Sequence, residues 1–128
     1  MSITLNHTIV PASDKEKTAR FYARIFGFEY IGAFGSFIVV RVNETLCLDF
    51  AERAQFESHH YAFKVSDDEF DQIFARIKAE GIVYGSGPYD PDNMKINHNY
   101  GGRGVYFRDE NKHLLEMLTV DYEINVTA

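Results

Sequence analysis

One plan of predicted secondary structure occurs twice along the chain. A β-rich strand, a capped helix and short strands come first, and the same order starts again near residue 58. The helices also match locally, because residues 21–25 (FYARI) precede Gly27 and residues 74–77 (FARI) precede Gly81. Such a repeat predicts two supersecondary units of one kind. We therefore predict an α+β chain built from two tandem βαβββ modules.

The modules are predicted to cover about residues 1–55 and 56–128 of a single domain. Ser13 with Glu16, and Ser66 with Glu69, have the spacing of a helix capping box. Both helices carry apolar residues at helical spacing and end at glycine. Predicted strands cover residues 3–11, 28–34, 36–42, 45–51, 59–65, 82–84, 104–108 and 113–119.

Composition and charge narrow the class of protein. The chain has 128 residues, of which 45% are hydrophobic and 25% charged, as in ordinary globular domains. A net charge of −6 argues against nucleic-acid binding. The single cysteine, Cys47, fits a reducing compartment. Without a visible signal peptide or an apolar run of membrane-spanning length, we expect a cytoplasmic protein with no membrane partner.

Two histidines occupy corresponding positions in the two modules. His7 lies in the first predicted strand, and aligning the modules at their helices sets His60 opposite it. The adjacent His59 shares a face with Tyr61 and Phe63, which look like the side packed on the helix. Since side chains alternate along a strand, only one of the two adjacent histidines can face a given pocket. We select His60.

The last predicted strand carries Glu116 between apolar neighbours. A buried carboxylate is costly unless it is protonated or paired with a cation, which could be Lys, Arg or a metal. His7, His60 and Glu116 together make a 2-His-1-carboxylate set suited to Mn²⁺, Fe²⁺, Ni²⁺ or Zn²⁺. The alternative is two hydrogen-bonded core histidines and a Glu116–Arg salt bridge, and spacing alone does not separate the two interpretations.

Three segments resemble the vicinal oxygen chelate superfamily, the group of glyoxalases, bleomycin resistance proteins, fosfomycin resistance proteins and extradiol dioxygenases. The first segment opens at His7 and continues through Phe21-Tyr22 and Phe26-Gly27-Phe28. The second is His60-Tyr61-Ala62-Phe63. The third runs from Val105-Tyr106-Phe107-Arg108-Asp109 to His113-Leu114-Leu115-Glu116. Asp109-Glu110-Asn111-Lys112 departs from the family's usual Asp-Pro-Asp-Gly turn.

The resemblance implies a cupped mixed sheet with the helices on its outer face, usually in a homodimer. It implies a divalent metal held by residues matching His7, His60 and Glu116, which chelates two adjacent oxygens of a small substrate. Glu116 could also act as a base. The fold does not select among a lyase, a thiol transferase and a dioxygenase.

Features of the individual reactions are only partly present. Ile9 stands where fosfomycin-type thiol transferases have a threonine, whereas Tyr106 matches a tyrosine that contacts the phosphonate. Glyoxalase I usually has a further carboxylate on the fourth strand, for which Asp49 or Glu52 could serve. His98 and His113 are nominal candidates for the basic histidine of a dioxygenase.

The long loop over residues 85–103 is the segment expected to determine specificity. Tyr100 and Arg103 could reach over a cavity, and with Tyr106 they are our candidate substrate-binding residues. The loop could equally be a dimer contact. We therefore expect a metal-dependent enzyme acting on a small oxygen-rich molecule, as a glyoxalase-like lyase or a thiol transferase. The competing function is a metal-free binding protein of the bleomycin resistance type, which the acidic charge would suit.

Overall fold

The computed structural model describes residues 2–124. The chain divides into two compact units between Glu57 and Ser58. Each unit has one helix and one four-stranded mixed sheet. The predicted α+β architecture of two βαβββ modules is therefore confirmed. Among the described residues, no helix has the length and apolar character needed to span a membrane.

The first unit contains one helix on a four-stranded sheet. Its elements are β1 (His7–Ala12), α1 (Lys15–Phe26), β2 (Glu29–Phe34), β3 (Phe37–Arg41) and β4 (Cys47–Glu52). The strand order is β1-β4-β3-β2, with β1 parallel to β4 and the other neighbours antiparallel. Tyr22 of α1 is buried, and its ring packs edge-on against Phe50 of β4, with the ring centroids 4.9 Å apart.

Local contacts define both ends of helix α1. The prediction that Ser13 caps it is wrong by one residue, because the side chain of Asp14 accepts the Lys17 N–H at 3.0 Å. Aspartate and serine are comparable N-caps, so sequence alone did not separate the two positions. Gly27 ends the helix with a φ of 77°, a left-handed conformation that glycine adopts without strain.

The second unit repeats this plan. Its elements are β5 (His60–Lys64), α2 (Asp67–Ala79), β6 (Tyr84–Gly85), β7 (Gly104–Arg108) and β8 (Leu114–Leu118), with a 3-10 turn at Asn99–Gly101 before β7. The strand order is β5-β8-β7-β6, and β5 is parallel to β8. The predicted capping box of Ser66 and Glu69 is confirmed, since each residue's side chain bonds the other's backbone N–H.

Helix α2 covers one face of the second sheet. Phe70, Ile73 and Ile77 are buried along the helix, and the Phe74 ring packs edge-on against Tyr84 of β6. The register places Tyr84 beside Phe107, and Phe107 beside Leu115. These residues therefore face the helix, and alternate residues of the same strands face away from it.

Candidate metal centre

A buried carboxylate and a half-exposed imidazole meet on the face of the second sheet that is opposite α2. The register pairs Ala62 and Tyr106 with Glu116, and pairs His60 with Leu114. Because the side-chain period of a strand is two, His60, Tyr106 and Glu116 project from the same face. The Nε2 atom of His60 lies 3.1 Å from Oε1 of Glu116. The Glu116 side chain is 2% exposed and that of His60 is 47% exposed.

The hydrogen bonds of His60 determine which ring nitrogen can bind a cation. Its Nδ1 atom lies 2.9 Å from the carbonyl oxygen of Leu114, which can only accept, so Nδ1 carries a proton. In the neutral ring, Nε2 therefore has a lone pair directed at the Glu116 carboxylate. Two acceptors at this distance need a proton or a metal ion between them. The pair thus has the donor chemistry of two ligands of a divalent metal.

Within residues 2–124, no group of three or more His, Cys, Asp or Glu side chains lies close enough to hold a metal ion. In the second unit, His60 and Glu116 thus bring together two side-chain atoms with the chemistry to bind a cation.

Two phenols complete the surroundings of Glu116. Tyr122 donates its hydroxyl to Oε2 of Glu116, and the Tyr106 hydroxyl lies 2.9 Å from that of Tyr122. The Tyr106 ring also stacks on the His60 ring, with 12° between their planes. Burial raises the pKa of Tyr106, and burial together with the bond to Glu116 raises the pKa of Tyr122. Both hydroxyls therefore keep their protons at neutral pH.

Sequence reasoning missed Tyr122. It lies beyond β8, in a segment that carries no strand or helix pattern. Its aromatic character is the only sequence signal, and the chain has eight tyrosines. Only the course of the chain after β8 brings its hydroxyl to Glu116.

His7 occupies the matching position in the first unit. It opens β1 as His60 opens β5, and its register partner is Cys47. Asp49 pairs with Ile9 on one side and Val39 on the other, so it shares a sheet face with His7. Asp49 therefore occupies in β4 the position that Glu116 occupies in β8. Each lies two residues after the register partner of the histidine, Cys47 for His7 and Leu114 for His60.

This face of the first unit forms a concavity of about 500 Å³. Its walls are mainly apolar, from Ile31, Phe34 and Val39, with His7 and Asp49 among the polar groups. Glu52, the other carboxylate considered for this role, does not line it. Oε1 of Glu52 instead accepts the backbone N–H of Lys15 at 3.3 Å, at the start of α1.

Arg103 is engaged on the other side of the second sheet. Its Nη1 atom lies 2.7 Å from Asp71 Oδ1 and its Nη2 atom 3.0 Å from Asp67 Oδ1. The guanidinium also lies over the Phe70 ring, 4.4 Å from its centroid. The bond to Asp71, together with Asp67, raises the pKa of Arg103. The structure thus brings Arg103 to α2 and not to His60 and Glu116, because its position alternates with that of Tyr106.

The third candidate for substrate binding, Tyr100, lies beside Tyr122, which bonds Glu116. Its ring centroid is 5.6 Å from that of Tyr122, and the residue is 47% exposed. The backbone of Tyr100 has a φ of 56°, which is uncommon for a residue with a side chain. Tyr100 is therefore connected to Glu116 through Tyr122, whereas Tyr106 contacts both Tyr122 and His60.

The remaining histidines of the second unit differ in placement. His113 is fully buried, and its Nδ1 atom accepts the backbone N–H of His59 at 2.8 Å. This makes His113 a structural residue of the β5–β8 junction. The His59 ring bonds the hydroxyl of Tyr61 at 2.6 Å, on the face opposite His60. His98 is exposed and precedes the 3-10 turn.

Comparisons with known proteins agree with this architecture. A family model described as the Glyoxalase/Bleomycin resistance protein/Dioxygenase superfamily matches residues 4–117. The solved structure of the oxidase ChaP-H2 is 48% identical and superposes with a TM-score of 0.91, covering 95% of this chain and 97% of that one.

Two further proteins are similar to this chain over most of their length. The structure of the oxidase ChaP-H1 is 44% identical, with a TM-score of 0.90, over 94% of this chain and 98% of that one. The metallothiol transferase FosB of Lysinibacillus sphaericus is 25% identical, over 91% of this chain and 82% of its own length.

Proposed function

The chain belongs to the glyoxalase/bleomycin resistance protein/dioxygenase superfamily, and from this membership we propose that it is a metal-dependent enzyme that uses dioxygen to oxidise a small molecule with two adjacent oxygen atoms. The observation that carries the proposal is the His60–Glu116 pair. Nε2 of His60, which has a lone pair in the neutral ring, faces a buried carboxylate oxygen at 3.1 Å, beside two protonated phenols. Such a pair is suited to hold a divalent cation that accepts oxygen ligands from a substrate.

The proposed protein ligands are Nε2 of His60, Oε1 of Glu116 and the imidazole of His7. His7 is supported by its register position, which repeats that of His60 at the start of the first strand. Two histidines and one carboxylate leave coordination positions open for a bidentate substrate and suit Fe²⁺ in oxidative enzymes. Mn²⁺, Ni²⁺ and Zn²⁺ remain the other candidates for the same ligand set.

When bound, the metal would chelate the two substrate oxygens and stabilise the negative charge that develops on one of them. The chain's own groups would position these oxygens and handle protons. Glu116 is also the proposed base: on release from the metal, its Oε1 would receive the proton of a substrate hydroxyl. Tyr106 and Tyr100 are the proposed substrate contacts. Arg103 is not included, because both sides of its guanidinium are bonded to α2.

Oxidation is favoured over thiol transfer by the degree of similarity. The two oxidases are 48% and 44% identical to this chain, whereas the metallothiol transferase is 25% identical. Ile9, which is 45% exposed on the face that carries His7, also replaces a polar threonine in the fosfomycin-type pattern. Thiol transfer to an epoxide is the second candidate, supported by the match to FosB over most of both chains.

The proposal is tested by measuring oxygen uptake by the Fe²⁺-loaded protein with catechols and hydroxyquinones as probes. We expect uptake by the parent and its loss in Glu116→Gln, which keeps the side chain's shape but removes its charge. Glu110→Gln, in the β7–β8 turn, is the matched control and should behave as the parent. Conjugation of fosfomycin to a thiol without oxygen uptake would overturn the oxidase assignment in favour of the second candidate.

A homodimer in the cytoplasm with a small-molecule substrate completes the proposal. The superfamily resemblance supports the dimer, and the single cysteine supports a reducing compartment. Sedimentation analysis tests the dimer, and a monomer at every concentration would contradict it. If the protein binds no metal but binds a cationic drug such as bleomycin, the metal-free binding function would replace the enzyme.

A further inference from the structure

The segment that follows β8 returns to the Glu116 carboxylate. The chain bends at Thr119, and four residues beyond the end of β8 the side chain of Tyr122 donates its hydroxyl to Oε2 of Glu116. Tyr122 is 44% exposed, so it lies between the buried carboxylate and solvent. We infer that Tyr122 is a positioning residue for Glu116 in the metal site, an inference that rests on the proposed function.

The hydrogen bonds give the phenol chain a direction. Since the Tyr122 hydroxyl uses its one proton toward Glu116, the Tyr106 hydroxyl at 2.9 Å must donate to the oxygen of Tyr122. Tyr106 in turn is held by its stacking on His60 and by its place opposite Glu116 in the sheet. The order is therefore Tyr106 to Tyr122 to Glu116, and it ends on the oxygen that does not face His60.

The two carboxylate oxygens of Glu116 therefore have different partners. Oε1 faces Nε2 of His60 and is the oxygen available to a cation, while Oε2 accepts from Tyr122. A buried carboxylate oxygen without a donor is strongly unfavourable, so the bond from Tyr122 holds the Glu116 side chain in this one orientation. Hydrogen-bond partners of this kind set the orientation and basicity of metal ligands.

The test is a titration of the whole, metal-free protein with Co²⁺, followed by its visible absorption spectrum. Tyr122→Phe keeps the ring and removes only the hydroxyl. We expect the affinity for Co²⁺ to fall about tenfold to a hundredfold, with a shifted absorption band. Tyr89→Phe makes the same chemical change at a residue that is 94% exposed, and it should match the parent in both readouts.

A weaker affinity and altered spectrum in Tyr122→Phe alone, with circular dichroism unchanged, supports the inference. If the parent binds Co²⁺ and Tyr122→Phe matches it in affinity and spectrum, Tyr122 does not position Glu116, and the proposed metal site is unaffected. If the parent itself binds no Co²⁺, the proposed function fails together with the inference. The parent therefore separates the two failures.

Discussion

The Nδ1 atom of His60 lies 2.9 Å from the carbonyl oxygen of Leu114, its register partner on the neighbouring strand. The position of His60 in the sheet thus determines which ring nitrogen carries the proton in the neutral ring, because the carbonyl group accepts a hydrogen bond and cannot donate one. The consequence is that the nitrogen facing Glu116 is the one able to bind a metal.

This tautomer is directly measurable. In the neutral ring of His60 we expect the proton on Nδ1. We also expect the ¹⁵N chemical shift of Nε2 to change on addition of Zn²⁺. Two-dimensional ¹H–¹⁵N correlation spectra of the imidazole side chains distinguish the two tautomers. A neutral ring with its proton on Nε2, or a Zn²⁺-induced change at Nδ1 instead, would show that this nitrogen assignment is wrong.

Arg103→Ala should affect stability and leave metal binding unchanged. The side chain bonds Asp67 and Asp71 and lies over Phe70, so its loss should lower the free energy of unfolding by about 1 kcal/mol. Urea unfolding of Arg103→Ala, Asp71→Ala and the double variant measures the coupling between the two residues. Unchanged stability with weakened Co²⁺ affinity would instead place Arg103 at the metal site.

Gly85→Ala should destabilise the second unit. A Cβ atom at this position would overlap the backbone of Asp90 and would lie 2.6 Å from Cα of Pro91. Because the obstacle is backbone, we expect a loss of about 2 kcal/mol or more. Gly87→Ala is the matched control, since no atom lies within 4 Å of its added Cβ. Equal unfolding midpoints in urea for the two variants would contradict this account.

Deprotonation of Tyr61 should lower the free energy of unfolding in alkaline solution. Burial, with a further contribution from the negative charge of Asp109, raises the pKa of Tyr61 to about 12, above the ordinary tyrosine value of 10.0. A phenol whose pKa is higher in the folded state stabilises the fold below pH 10, and this contribution is lost as the pH rises through 12. Urea unfolding across this range should show a smaller alkaline loss for Tyr61→Phe. An identical loss in both proteins would assign the effect to other groups.

The sequence predicted those features that depend on neighbouring residues. The capping box at Ser66 and Glu69 joins residues three apart, and the predicted bounds of β7 match the structure. The predicted equivalence of His7 and His60 also agrees with the register, because each is the first residue of a strand that is parallel to the last strand of its own unit. These features follow from periodicity and repetition, which a single sequence contains.

Features set by contacts between distant residues could not be predicted in the same way. The face of Asp49 depends on the register of β4, in which an error of one residue reverses every side chain. The prediction for Arg103 assumed that a loop residue reaches the site, whereas two aspartates of α2 bind it. Tyr122 reaches Glu116 only through the bend that follows β8. β6 was predicted at residues 82–84 and lies at Tyr84–Gly85.

The most direct test of the central claim is the metal content of the tag-free protein by mass spectrometry, with His60→Ala and His59→Ala beside the parent. We expect about one divalent metal ion per chain in the parent and in His59→Ala, whose ring lies on the opposite sheet face, and loss of the metal in His60→Ala. Absence of metal from the parent, even after incubation with Mn²⁺, Fe²⁺, Ni²⁺ or Zn²⁺, would contradict the proposed metal centre, as would full retention in His60→Ala.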